Sequence, residues 1–313
     1  MMPSTQTGAR CAAFWPVLLL AGCLSAQTDA QSRSAALPTL YYAGGVQGVA
    51  DLADPARSQR YRAAGGGLYL HSWAWYFKLN DAQRRQILEA FRGAPVGIEI
   101  GFKGDDAAAA EVARQIKKYY LDLGVRPAFM ASNVFNKRDR EQFTLEEWRN
   151  FQATLRRLGV PASTPIMPTF EYQNGKKLDI LQRNKVSESA LFQALVKTGG
   201  GIVLDTPPGF ALQQDEIYRL WVVDAIRWTQ GQGLPAILIV SPHHSGTQWV
   251  RDTRQYLDYL DQHRAMPTAF VCENYNPKPP AGYPNGVGEE GDPNTDLGMC
   301  WNLMKNRTAP GRP

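Results

Sequence analysis

Four acidic residues lie in or at the end of short apolar runs of the sequence: Glu99, Glu171, Asp205 and Glu273. A carboxylate in an apolar segment is costly to bury unless it is paired or faces a polar cavity. Two such groups can work together, one donating a proton while the other attacks or activates water. We predict Glu171 and Glu273 as the catalytic pair, followed by Asp205. Any one of these acids alone could instead be a structural carboxylate.

Aromatic, amide and histidine side chains occur beside these acids. Flat rings can stack on sugar rings, and amides and imidazoles can hydrogen-bond to sugar hydroxyls. The pattern therefore predicts a carbohydrate site. Its predicted substrate-binding residues are Glu99, His71, Trp73, Trp75, Tyr172, Asn274, Tyr275 and His243. Trp75 and the neighbouring Tyr76 could equally belong to the core.

The histidines allow a second chemistry. His71, His243 and His244 fall at the ends of apolar runs, and with Asp205 they could bind a divalent metal ion. The two adjacent histidines point to opposite sides of an extended chain, so at most one of them would face a site. Hydrogen bonding to substrate is the favoured role. We predict no cofactor and no metal, and without a Gly-x-Ser-x-Gly motif a serine nucleophile is not indicated.

The elements that must position these residues alternate between two kinds. Eight continuous apolar runs of strand length are predicted as strands covered on both faces: Thr39–Ala43, Gly67–Trp73, Val96–Phe102, Pro127–Ser132, Pro165–Tyr172, Gly201–Thr206, Ala236–Ser241 and Thr268–Tyr275. Amphipathic stretches separate them and carry helix-end signals. Thr144-Leu145-Glu146-Glu147, for example, is a capping box.

Eight strands alternating with helices predict a single (β/α)8 TIM barrel over residues 39–313. In such a barrel the active site lies at the carboxyl ends of the strands, where the predicted residues fall. The alternative is an open doubly wound sheet, which usually has a Gly-rich loop after an early strand. Here Gly65-Gly66-Gly67 precedes its strand, and this favours the barrel.

This layout of strand-end carboxylates and aromatics resembles the barrel-type glycoside hydrolases. In many of those enzymes the two catalytic acids lie three strands apart, as Glu171 and Glu273 do; Phe170 stands where they usually have Asn before the acid. The resemblance implies a glycosidase acting on an extracellular or cell-envelope polysaccharide or oligosaccharide. The alternatives are a non-catalytic carbohydrate-binding lipoprotein and a metal-dependent hydrolase.

The N-terminal sequence predicts an export signal. Arg10 precedes an apolar run from Cys11 to Cys23, which is too short to span a bilayer. Its end, Leu20-Ala21-Gly22-Cys23, resembles the bacterial lipobox. That resemblance implies a signal peptide over 1–22, acylation of Cys23 and, in a Gram-negative cell, transport to the outer membrane. Residues 23–38 are then a flexible tether. The alternative is ordinary cleavage after Ala26.

Charge and cysteine content narrow the possible partners. The chain has 34 basic and 29 acidic residues, a net charge of +5, and these charges are interspersed. Nucleic-acid binding is therefore not predicted. Cys272 and Cys300 remain after export into an oxidising compartment, and we predict a disulfide between them. Two separate buried thiols are the alternative.

Overall fold

The computed structural model describes residues 38–44, 49–101, 106–133, 144–171, 185–213, 216–241 and 246–273, and near the C-terminus residues 295, 297–298 and 300–303. The chain divides into two units, Met1–Ala36 and Leu37–Pro313. All of the described residues lie in the second unit. The lipidation site predicted at Cys23 lies outside the described residues.

Eight parallel strands form a closed barrel. They are β1 (Thr39–Ala43), β2 (Gly67–Leu70), β3 (Val96–Ile100), β4 (Phe129–Asn133), β5 (Ile166–Glu171), β6 (Ile202–Asp205), β7 (Ala236–Val240) and β8 (Ala269–Glu273). Each strand pairs with the next one in the chain, and β8 pairs with β1 along its whole length. The predicted (β/α)8 barrel is confirmed.

Helices follow the strands and cover the barrel. They are α1 (Gln59–Ala63), α2 (Ser72–Phe77), α3 (Asp81–Ala90), α4 (Asp106–Tyr119), α5 (Leu145–Arg157), α6 (Ala190–Gly199), α7 (Pro208–Gln213), α8 (Glu216–Gly231) and α9 (Gly246–Gln262). Short 3-10 helices occur at Val49–Ala53, Pro55–Ser58, Leu121–Leu123 and Val186–Glu188. Among the described helices, none is long and apolar enough to cross a membrane.

The helix ends form where the sequence carries capping residues. Thr144 Oγ1 accepts from the Glu147 amide, and the Glu147 carboxylate accepts in return from the Thr144 amide, as predicted. Asn80 and Gln83 form the same reciprocal pair at the start of α3. Each pair satisfies amide donors that the first turn of a helix leaves without partners, and so fixes where the helix begins.

The second strand is shorter than predicted, because part of its apolar run is helical. Strand β2 ends at Leu70, and the aromatic segment after His71 forms α2. Arg84 explains this local fold: its buried guanidinium donates to the carbonyl oxygens of Trp75, Tyr76 and Leu79 at 2.6–3.0 Å. These bonds satisfy carbonyls that the end of a short helix leaves without partners.

Strand residues alternate between two apolar cores. One fills the barrel interior and consists of every second strand residue: Tyr41, Ala43, Tyr69, Phe129, Ala131, Met167, Val203, Ile237, Ile239, Ala269 and Val271. The other lies between the strands and the helices. Because side chains alternate along a strand, a residue two positions beyond an interior residue also faces the barrel axis. This rule locates the site.

Candidate active site

Four of the predicted residues continue the inward-facing rows at the carboxyl end of the barrel. His71 follows Tyr69 by two positions, and Asp205 and Glu273 follow Val203 and Val271 in the same way. Glu99 lies two residues after Gly97, whose close approach to the inward-facing Phe129 ring places it on the interior face. Four different strands therefore direct ionisable side chains to one end of the barrel, where TIM-barrel active sites lie.

His71 lies between two carboxylates. Its Nε2 atom is 3.3 Å from Glu99 Oε1 and 3.7 Å from Glu273 Oε1. The side chains of His71 and Glu273 are 9% and 6% exposed, and the Glu99 side chain is more exposed, at 29%. We call these three residues the His71 cluster.

Burial and mutual repulsion shift the pKa values of the acids. Burial, followed by the negative charge of Asp205, raises the pKa of Glu99 from 4.5 to about 8. Burial also raises the pKa of Asp205 from 3.8 to about 6. The pKa of His71 is lowered by burial, and the charge of Glu273 opposes that shift only in part. The site thus disfavours the charged forms of Glu99 and Asp205.

The His71 cluster has the donor set and the spacing of a metal site. One ligand atom from each of His71, Glu99 and Glu273 lies within 4.8 Å of the others. Ligands bound at about 2.1 Å to one ion lie roughly 3.0–3.4 Å apart when adjacent. The His71–Glu99 separation already falls in this range, and the His71–Glu273 separation exceeds it by a few tenths of an ångström. The residues present therefore fit a divalent cation.

Two tyrosines border Glu99. The negative charge of Glu99 adds to the effect of burial in raising the pKa values of Tyr76 and Tyr120. The neighbouring Tyr76 phenol raises the pKa of Tyr120 further, and the buried Tyr120 hydroxyl has no hydrogen-bond partner among the described residues. Tyr120 was not predicted from the sequence, since it follows a helix rather than a strand. No strand-based pattern could have identified it.

Trp75 is not a substrate-binding residue, contrary to prediction. It is completely buried, its Nε1 donates to the Tyr119 carbonyl at 2.9 Å, and its ring stacks on Tyr120. Helical rather than extended backbone turns this ring into the core.

Other predicted site residues have positions that the structure gives only in part. The backbone of Glu171 ends β5 opposite Asp205, while its side chain lies outside the described residues. The side chain of Trp73 also lies outside them. So do four whole residues: Tyr172, His243, Asn274 and Tyr275. Of the four predicted acids, the structure thus brings together Glu99, Asp205 and Glu273.

No disulfide joins Cys272 and Cys300, contrary to prediction. Both are buried thiols. Burial raises the pKa of the Tyr61 phenol well above its usual value, and the two cysteines add to that rise. That phenol donates to the carbonyl oxygens of Leu40 and Gly67 at 2.8 Å. The two cysteines therefore belong to the apolar layer around Tyr61.

Comparisons with known proteins do not show a family for this chain. No family model matches the chain, and no curated protein matches it. Among solved structures, a Burkholderia cenocepacia J2315 protein described as a candidate phosphonomutase matches with 14% identity and a TM-score of 0.45. The match covers 76% of this chain and 87% of that one.

The glycoside hydrolase prediction is wrong. Among the described side chains, the His71 imidazole, and not a second catalytic acid, lies next to Glu273. Glu99 lies on the other side of that imidazole.

Proposed function

We propose that this protein is a metal-dependent enzyme whose divalent cation is held by His71, Glu99 and Glu273 at the carboxyl end of the barrel. The proposal rests on the geometry of the His71 cluster. The carboxyl ends of β2, β3 and β8 place one nitrogen and two carboxylate oxygens within 4.8 Å of one another. A cation there would offset the repulsion between carboxylates that are held close together in a poorly hydrated space.

The ligand chemistry narrows the choice of ion. Carboxylate oxygens suit Mg²⁺ and Mn²⁺, whereas an imidazole nitrogen suits Zn²⁺ and the later transition metals. A site with one imidazole and two carboxylates falls between these classes. We therefore expect binding of Mn²⁺ or Zn²⁺ to be tighter than binding of Mg²⁺.

Three protein ligands leave coordination positions for a substrate oxygen. The ion would polarise that oxygen as a Lewis acid. Asp205 is not part of the ligand set, and it faces the same end of the barrel from β6. We assign to its carboxylate the role of accepting a proton from bound substrate, which needs a group within hydrogen-bond reach of the reacting atom.

Isothermal titration calorimetry of the purified, chelator-treated protein with MnCl2 or ZnCl2 tests the metal site. We expect one ion per chain, with binding weakened at least a hundredfold in His71→Ala and Glu99→Gln. Matched controls are His263→Ala, at the far end of α9, and Glu111→Gln, on the exposed face of α4. A wild-type protein that binds neither ion, or ligand variants that bind as well as these controls, would contradict the proposal.

A further inference from the structure

Two buried polar atoms near the His71 cluster have no hydrogen-bond partner within the described structure. They are Asp205 Oδ1 and Thr169 Oγ1. Thr169 is 6% exposed, and it follows the interior residue Met167 by two positions, so it faces the barrel axis. The two residues lie on the neighbouring strands β5 and β6, where Thr169 pairs with Val203, two residues before Asp205.

Such atoms are expensive to leave without partners. A buried polar group that lacks a hydrogen bond costs about 1–3 kcal/mol, and each case calls for an explanation. Thr229 has a similar buried hydroxyl, but it lies on α8 among helix-packing residues. Asp205 and Thr169, in contrast, face the same end of the barrel as the His71 cluster. A substrate bound there would provide their missing hydrogen-bond partners.

We propose that Asp205 and Thr169 form a subsite for a hydroxyl or amino group that neighbours the metal-binding oxygen of the substrate. This inference rests on the proposed function, since the metal fixes the other end of the substrate. An ionised carboxylate only accepts hydrogen bonds, so Asp205 requires a donor. The Thr169 hydroxyl can either donate or accept a hydrogen bond, so it can pair with a hydroxyl group or an amino group of the substrate.

The charge of the described site narrows the substrate class further. Glu99, Asp205 and Glu273 together carry up to three negative charges, and a divalent ion offsets two of them. A neutral or cationic substrate fits this balance, whereas a phosphate or phosphonate would bring further negative charge and more acceptors against Asp205. The subsite therefore favours neutral or cationic substrates, namely α-hydroxy or α-amino carbonyl compounds and vicinal diols.

A matched pair of small probes tests this subsite on the Mn²⁺-loaded full chain. Lactamide offers a carbonyl oxygen to the metal and an α-hydroxyl to Asp205, whereas 2-methoxypropanamide has the same skeleton without the donor. Paramagnetic broadening of the probe methyl signals reports binding even at millimolar affinity. We expect several-fold stronger broadening for lactamide in the wild type.

Variants assign this preference to the two residues. Asp205→Ala should remove the difference between the probes, and the isosteric Thr169→Val should reduce it. Thr229→Val removes a buried hydroxyl outside the site and should leave it unchanged. If Mn²⁺ is bound but both probes broaden equally, or if Asp205→Ala keeps the preference, the subsite is wrong and the metal site stands. If Mn²⁺ does not bind at all, both proposals fall.

Discussion

At the residue scale, the important feature is that one imidazole lies between two carboxylates while a third carboxylate stands nearby. The sequence predicted all four residues as site residues, but it assigned Glu99 to substrate binding and named Glu171, together with Glu273, as the catalytic pair. Spacing along the chain shows that an acid ends a strand. It does not show which strand ends meet across a closed barrel, and the tilt of the strands decides that.

The raised pKa of Glu99 makes a stability prediction for the metal-free protein. In the unfolded chain Glu99 ionises near 4.5, whereas in the folded chain it keeps its proton until about pH 8. Its contribution to stability is therefore complete below pH 4.5 and is lost as the pH rises through 8. Glu99→Gln has no such proton to lose. At pH 9 this variant should be more stable than the wild type, by an amount on the order of a few kcal/mol.

Urea denaturation in the presence of a chelator at pH 5, 7 and 9 measures this difference. The gap between Glu99→Gln and wild type should be small at pH 5 and widest at pH 9. Glu111→Gln is the control, because hydrogen bonds from Arg114 and Gln115 lower the pKa of that exposed acid instead. If Glu99→Gln follows the wild-type pH dependence, Glu99 is not held in a charge-disfavouring site.

At the element scale, the sequence predicted the barrel well because each strand is a continuous apolar run closed by turn signals. All eight predicted strands exist, with ends that differ by at most three residues. The errors lie where tertiary contacts decide local structure. The segment Ser72–Phe77 is as apolar and aromatic as a strand, and it is helical because Arg84 satisfies the carbonyls at its end.

Arg84 therefore has a specific structural role. Replacing it with alanine leaves the carbonyls of Trp75, Tyr76 and Leu79 without their donor and removes the ion pair with Asp81. We expect Arg84→Ala to lower the free energy of unfolding by about 2–4 kcal/mol. Urea midpoints measure this loss. Arg85→Ala, at the exposed neighbouring position, should change the midpoint little, and equal effects of the two changes would contradict the role.

At the scale of the whole molecule, the barrel brings to one end residues that are separated by up to about two hundred positions in the chain. Below them, the interior is filled by apolar side chains, several of them small. This construction separates stability from chemistry: the lower layers hold the barrel closed, and the upper layer carries the charges. Alternation along each strand assigns residues to these layers once the inward-facing residues are known, but the sequence could not supply the distances within the upper layer.

The lipobox resemblance supports the proposal that the protein is exported and anchored by a lipid on Cys23. Cys23→Ser should prevent acylation and move the protein from the membrane fraction to the soluble fraction of expressing bacteria. Metabolic labelling with an alkyne fatty acid, followed by fractionation, tests this. Cys11→Ser is the matched control and should still be labelled. A wild-type protein without label, or a labelled Cys23→Ser variant, would rule out the anchor.

The metal site is the central claim, and anomalous diffraction tests it most directly. Crystals of the chelator-treated protein, soaked in MnCl2 or ZnCl2 and measured at the matching absorption edge, locate the ion without reference to activity. We expect one strong peak within about 2.3 Å of His71 Nε2 and of a carboxylate oxygen from each of Glu99 and Glu273. A well-ordered site with no peak at a saturating concentration of either ion, or a peak that contacts none of these residues, would contradict it.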